Sequence, residues 1–418
     1  MPDNTDTGVE NKFQDRIHEQ YPELDIVPSD GESVGAGPKD RSTYTTVETP
    51  IEEFYVLNHH PVPDIDADEW SISLTGAVDE PTELSMDELR EDYPTTTTTH
   101  TMVCAGNGRT YFSSVNDEPE RYLQWEYNSA GTARWTGTPL SAILEDHGAE
   151  TDEGSWLAAI GGDAPNDDAD VFARSLPMSK VQNDCLLAYE MNDEPLPPDH
   201  GFPVRIIVPG WYGVNSVKWV EELRVMDRML AGEKWEQYTH WQQDFYRMKF
   251  DPDREATEHD DLAEFDTWEQ FTGDAVASPY LYDQNVMSLI GYPTDNSSVE
   301  PGPDGNIEII GVAWAGDDRV ESVHLSADDG DTWHEARFVS PDEGPGVWRL
   351  FRCVLDLPAG DHYLVSRATD EHGRSQPSRT SDPGTEKKEV DPDEYPWNRE
   401  GYGNNAYTSY GVDFTVKR

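Results

Sequence analysis

Past about residue 280 the chain reads as strand after strand. IEIIGVAWAG, VESVHLSADDGDTWHEARFV, WRLFRCVLDLP and DHYLVSRATDEHG follow one another with alternating or continuous apolar character and a turn between each pair. A side-chain period of two, with no helical period, leaves such a segment one way to bury its apolar faces, which is sheet against sheet. The pattern implies an immunoglobulin-type β-sandwich over residues 280–418. SADDGDTW is expected to be a hairpin turn within it. Its aspartates lack the spacing and the terminal glutamate of an EF-hand loop, so a solvated turn is expected in place of a calcium site.

Before that boundary the texture is mixed. WSISLTGAV alternates like a strand, and VRIIVPG is a short β-branched run bounded by Pro and Gly. LSMDELRED has helical apolar spacing, with Ser85 as N-cap and Glu88 three residues on, the capping-box pattern. TPLSAILEDHG predicts another short helix stopped at Gly148. Together these describe an α+β domain over residues 41–270, preceded by an acidic flexible arm over residues 1–40.

The formal net charge of -54, from 84 acidic against 30 basic residues, is spread along the chain. Nucleic acid and anionic membrane surfaces are excluded as partners, because such a field repels both. A hydrated carboxylate surface suits a salt-rich, halophilic cytoplasm, where its self-repulsion is screened. No apolar run reaches transmembrane length, and the N-terminus has neither the basic nor the apolar region of a signal peptide, so a cytoplasmic location is expected.

Only three cysteines occur, Cys104, Cys185 and Cys353, far apart and without a CxxC pair. A disulfide framework and a cysteine zinc site are therefore not expected. Cys185 and Cys353 lie in apolar strand-like runs and read as buried filler. Cys104 ends a threonine run and is followed by Gly106, Gly108 and Arg109, a setting for a ligand or a nucleophile. Further polar strings stand out in the same domain: LNHHPVP at 57–63, Trp125 ahead of GTARW (which carries Arg134), LAYEMN at 187–192, DHGFPVR at 199–205 and GVNSVKW at 213–219.

In this order the strings CAGNGR, GTARW, LAYEMN, DHGFPVR and GVNSVKW closely resemble those of the sulfite oxidase family. The resemblance runs from about residue 41 to the C-terminus, where GVAWAG, SADDGDTW and WNREGYGNNA are similar to the family's dimerisation domain. It implies a mixed α/β molybdopterin-binding domain followed by an immunoglobulin-like dimerisation domain, a molybdenum ion on a molybdopterin, and a homodimer. Cys104 is the implied metal ligand, a soft anionic sulfur suited to a metal already held by dithiolene sulfurs. His200, Arg205 and Lys218 fall where the family holds the pterin phosphate, and cationic donors suit that group. His59 and Ser216 are the other implied cofactor contacts. Tyr246, Arg109 and Trp125 are the implied catalytic residues, with Arg109 and Arg399 binding substrate. Glycines 106 and 108 are expected to let the backbone approach the cofactor closely.

Two positions depart from the family's pattern. Leu57 stands where an RNH-x-PVP string has arginine, and WNREG places Glu400 at a second arginine position, with Arg399 one residue early. The implied activity is oxygen-atom transfer to or from a small oxyanion or S-oxide, with sulfite oxidation to sulfate as the leading case and electrons leaving to a separate carrier protein. Nitrate reduction or S- or N-oxide reduction within the same family is the alternative, and Leu57 suits a less charged substrate. Two other classes stay open on the residues alone: a cysteine hydrolase pairing Cys104 with His100 or His200, and a non-catalytic binding protein built on the sandwich.

Overall fold

The computed structural model describes residues 7–29, 33–112, 122–152, 154–166, 169–230, 242, 246–247, 280–398 and 400–417. Among the described residues two five-stranded sheets form the centre of the larger domain. One is ordered Thr82–Ser85, Ser71–Gly76, Val220–Met226, Trp156–Gly161, Ala173–Pro177. The other is ordered Glu194–Pro195, Leu186–Met191, Ala130–Pro139, Thr96–Val103, with Arg205–Ile207 also pairing with Leu186–Met191. Their facing residues, among them Leu74, Leu157, Leu223, Leu187 and Ile206, share one apolar core with the short helices Met86–Glu91, Leu140–Asp146 and Met178–Asp184. Ser85 closes its capping box on Glu88 as its spacing predicts.

The second domain is the sandwich expected from the strand pattern. Met287–Tyr292, Ile307–Trp314, Arg349–Leu355 and Arg337–Phe338 form one sheet. Ser297–Val299, Val412–Val416, Gly360–Asp370, Val320–Ser326 and His334–Glu335 form the other. Ile309, Phe351, Leu325, Leu364 and Phe414 meet between them. SADDGDTW is a polar hairpin turn, in which Asp328 accepts from the Thr332 amide and hydroxyl.

The acidic arm expected over residues 1–40 is instead folded through its described part. Thr7–Gln20 is a helix, followed by the strands Leu24–Val27 and Val34–Pro38, and the second of these pairs with Val56–Asn58. Phe13, Ile17 and Tyr21 recur every four residues and bury one helix face against Leu24, Ala36 and Val56, while Asp15 and Glu19 stay on the outer face. The acidic composition therefore masks an amphipathic helix.

The two domains share a core of their own, which includes Tyr44, Val103, Phe112, Met287, Trp314 and Trp348. Trp348 donates from its amide to Thr101 Oγ1 at 2.7 Å and from its indole to the Val47 carbonyl at 2.6 Å. The C-terminal chain then returns to the Cys104 turn, where the Gly403 amide donates to the Ala105 carbonyl at 2.7 Å.

Candidate active site

The strand Thr96–Val103 delivers Cys104 to the end of its sheet. The chain then folds into a tight turn, in which the Asn107 amide donates to the Cys104 carbonyl and the Arg109 amide to the Gly106 carbonyl. The turn's glycines also sit close against side chains of this chain. A Cβ at Gly106 would lie 2.5 Å from Arg109 Nη2, and one at Gly108, where φ is +77°, 1.9 Å from the Tyr410 hydroxyl. Among the described residues they make room for Arg109 and Tyr410. Cys104 keeps some accessible surface, yet burial pushes its thiol up, against the opposing pull of Arg109 and the Gly106 amide. Its accessible surface faces a cavity.

That cavity encloses about 390 Å³. Cys104, Arg109, Trp125, His59, His200, Arg205, Ser216, Lys218 and Tyr246 all line it, so residues spread over almost 190 positions come together at one place. Leu57 lines it too and brings no charge.

At one end stand four groups from DHGFPVR and GVNSVKW, namely His200, Arg205, Ser216 and Lys218. Arg205 donates to the carbonyls of His200 and Ser216, both at 3.0 Å, and lies over the Trp135 ring. Lys218 donates to the carbonyls of Leu57 and Asp199 and to Asn58 Oδ1. Ser216 Oγ accepts from the Val208 amide. His200 sits edge-on to Phe54 and Tyr21. Burial holds Arg205 down to about 10 and, with help from Arg205, Lys218 down to about 7. The His200 imidazole is held well below its usual range by burial, Arg205 and Lys218. Asp199, whose side chain is fully buried, accepts from Arg16 Nη2 at 2.7 Å and from Asn58 Nδ2 at 2.9 Å.

Tyrosines dominate the other end. Tyr246 stacks on Tyr402 with ring centroids 5.0 Å apart and an interplanar angle of 20°. Arg109 lies over Tyr402 with Cζ 5.1 Å from the centroid, while its Nε donates to the Glu400 carbonyl and its Nη1 to the Leu123 carbonyl. His59 packs against His60 at 4.2 Å and is held down to about 3 by burial, His60 and Arg174. Trp125 is fully buried edge-on to Tyr55.

Other sequence features fall away from the cavity. Arg134 is on the surface, bound to Glu48 and Asp193. His100 is buried with Nδ1 accepting from the Gly210 amide, and Cys185 and Cys353 are buried, free thiols elsewhere. Arg399 lies outside the described residues. Sequence reasoning missed Tyr402, Asn58, Asp199 and Arg174. The first three sit inside or beside strings that were already singled out, so their neighbours were the available signal.

Residues 59–235 match the oxidoreductase molybdopterin binding domain, and residues 278–383 match the Mo-co oxidoreductase dimerisation domain. Sulfite oxidase of Gallus gallus is 33% identical over 339 residues, covering 79% of this chain and 68% of that protein. The chain belongs to the sulfite oxidase family. Mitochondrial sulfite oxidase of Homo sapiens is also 33% identical over 339 residues, and the match spans 57% of that protein's length. The solved sulfane dehydrogenase SoxCD from Paracoccus pantotrophus covers 100% of this chain and 96% of its own, with a TM-score of 0.68 and 23% identity, a likeness of fold.

The residues present fit the sulfite oxidase family's molybdenum and molybdopterin. His200 Nε2, Arg205 Nε and Trp125 Nε1 are buried and take no hydrogen bond among the described residues. Burial disfavours the charged forms of Arg205 and Lys218, and an anionic phosphate beside them would remove that penalty. The one cysteine on the cavity wall supplies the thiolate that suits a soft metal site.

Proposed function

We propose that this chain is a sulfite-oxidising enzyme that transfers its electrons to a separate carrier protein. The observation that carries the reading is the sharing of one cavity by Cys104, the cations Arg205 and Lys218, and Arg109 with Tyr246. His200, Arg205, Ser216 and Lys218 would hold the pterin and its phosphate, with His59 a further contact, and Cys104 would ligate the metal. When bound, the molybdenum supplies two-electron redox chemistry and oxygen-atom transfer. Arg109 attracts the substrate oxyanion, joined in this reading by Arg399. Tyr246 Oη holds or moves a proton beside the reacting oxygen, and Trp125 closes the wall and excludes water. The hydrolase reading leaves this cation cluster without a task.

Leu57 favours one second reading, reduction of a neutral S- or N-oxide or of nitrate, since a leucine attracts no anion. Steady-state assays with sulfite, nitrate and S-oxides, artificial electron carriers and molar salt decide between them. Turnover of sulfite alone supports the reading, and turnover of neutral S-oxides alone overturns it. Leu57→Arg is expected to lower the sulfite KM by adding a cation to the cavity. In the same reading the chain is a cytoplasmic homodimer adapted to high salt, paired through the sandwich. Light scattering over a salt series tests this, and a monomer at molar salt rejects it. Among the described residues no helix is long and apolar enough to cross a membrane.

A further inference from the structure

Arg174 belongs to none of the strings that carried the sequence reading, yet it stands behind the cavity wall. It lies on the strand Ala173–Pro177 and is 1% exposed. Its guanidinium lies near two rings that line the cavity, with Cζ 4.3 Å from the centroid of Phe172 and 5.0 Å from that of Tyr246. Tyr246 stacks on Tyr402, and Arg109 lies on Tyr402. Arg174, Tyr246, Tyr402 and Arg109 thus form one continuous chain of contacts, in which each cation lies within cation–π range of a tyrosine ring.

A second tie links the same strand to the Tyr246 segment. Gln242 Oε1 accepts from the Ser175 amide at 2.8 Å, and Gln242 Nε2 donates to the Ser175 carbonyl at 2.7 Å. Among the described residues Ala173–Pro177 is the last strand of its sheet, and this side-chain amide pairs backbone groups on its open edge. Arg174 and Ser175, adjacent in sequence, therefore engage Tyr246 and Gln242, which are four residues apart. Burial lowers Arg174 only to about 10, so it stays charged at neutral pH. Its field also bears on Tyr246 and on His59 across the wall.

We propose that Arg174 is the positioning residue of this site: it fixes the Tyr246 ring and hydroxyl in the cavity wall and supplies there a buried positive charge that favours a substrate oxyanion. The charge half of this proposal rests on the oxyanion reading above, and the positioning half does not.

The test compares the loaded enzyme with Arg174→Met, measuring molybdenum and pterin content, steady-state kinetics on sulfite, and the ¹⁹F signal of 3-fluorotyrosine placed at position 246. The expected result is unchanged cofactor content, a sulfite KM raised roughly tenfold, a lower kcat and a shifted fluorine resonance. Arg174→Lys keeps the charge and loses the planar guanidinium, so it should recover most of the KM while the resonance stays shifted. An unchanged KM and an unshifted resonance in Arg174→Met, with the native enzyme turning over sulfite, overturn the proposal and leave the oxyanion reading standing. A native enzyme that ignores sulfite overturns the oxyanion reading and the charge half with it; a shifted resonance then still supports the positioning half. Should Arg174→Met not fold, an unshifted resonance in Arg174→Lys overturns the positioning role.

Discussion

At the His200 end Arg205 is held by nearby backbone, whereas at the Tyr246 end Arg109 is held by a ring and a carbonyl of the distant C-terminal chain. Arg205 binds carbonyls 5 and 11 residues away in sequence. Arg109 reaches the Glu400 carbonyl across 291 residues and lies on Tyr402. The first end is built within the larger domain, where Lys218 also binds Leu57 and Asn58 of the strand Val56–Asn58. The second exists only when the two domains and the C-terminal chain are assembled. A site of this kind separates the task of holding a cofactor from that of choosing a substrate, and substitutions at the two ends should fail in different ways.

The largest effect is expected from Arg205→Glu. Reversing a buried cation among His200 and Lys218 should yield folded protein that purifies without pterin, read by pterin fluorescence after denaturation. Full cofactor with only a raised KM would place Arg205 with the substrate and erase the distinction. Cys104→Ser should come next, with turnover abolished while pterin stays bound, because a serine hydroxyl is a harder and far less acidic ligand. Near-native turnover would remove Cys104 from the metal.

At the other end Tyr246→Phe should keep pterin and molybdenum and lower kcat by roughly 10²-fold, the usual scale for a lost proton-transfer group. A kcat left at the native value would reduce Tyr246 to a packing ring.

The smallest effect is a pH dependence confined to the His200 end. Burial lowers Lys218 to about 7, so in cofactor-free protein it is cationic below that pH and neutral above it. Sulfate, whose charge is fixed in this range, should bind cofactor-free protein more weakly as pH rises through 7, by at most about tenfold per unit. Arg205, held near 10, does not titrate there. Flat binding from pH 6 to 9 would show that Lys218 does not meet the anion.

The same contrast explains what the sequence made legible. The capping box at Ser85, the alternation past residue 280 and the strings around Cys104 and His200 each encode structure within a few residues, so reading the residues in order recovers them. Arg174 carried no such signal. In ARSLP it is one charge in a short strand, and only the tertiary approach of Phe172 and Tyr246 shows that it is fully enclosed. The N-terminal helix is a different case. Its spacing of Phe13, Ile17 and Tyr21 was readable, but a polar, acidic setting pointed the other way.

That helix also has a bearing on how the protein is made. Arg16 meets Asp199 across 183 residues, and the strand that anchors the hairpin, Val34–Pro38, pairs with residues 56–58. During ribosomal synthesis the helix emerges well before the loop that carries its ionic partner. At the usual 5–20 residues per second, about ten to forty seconds separate the two. Through that interval the segment lacks its partner, and the carboxylates on its outer face keep it in solution until the rest of the chain arrives.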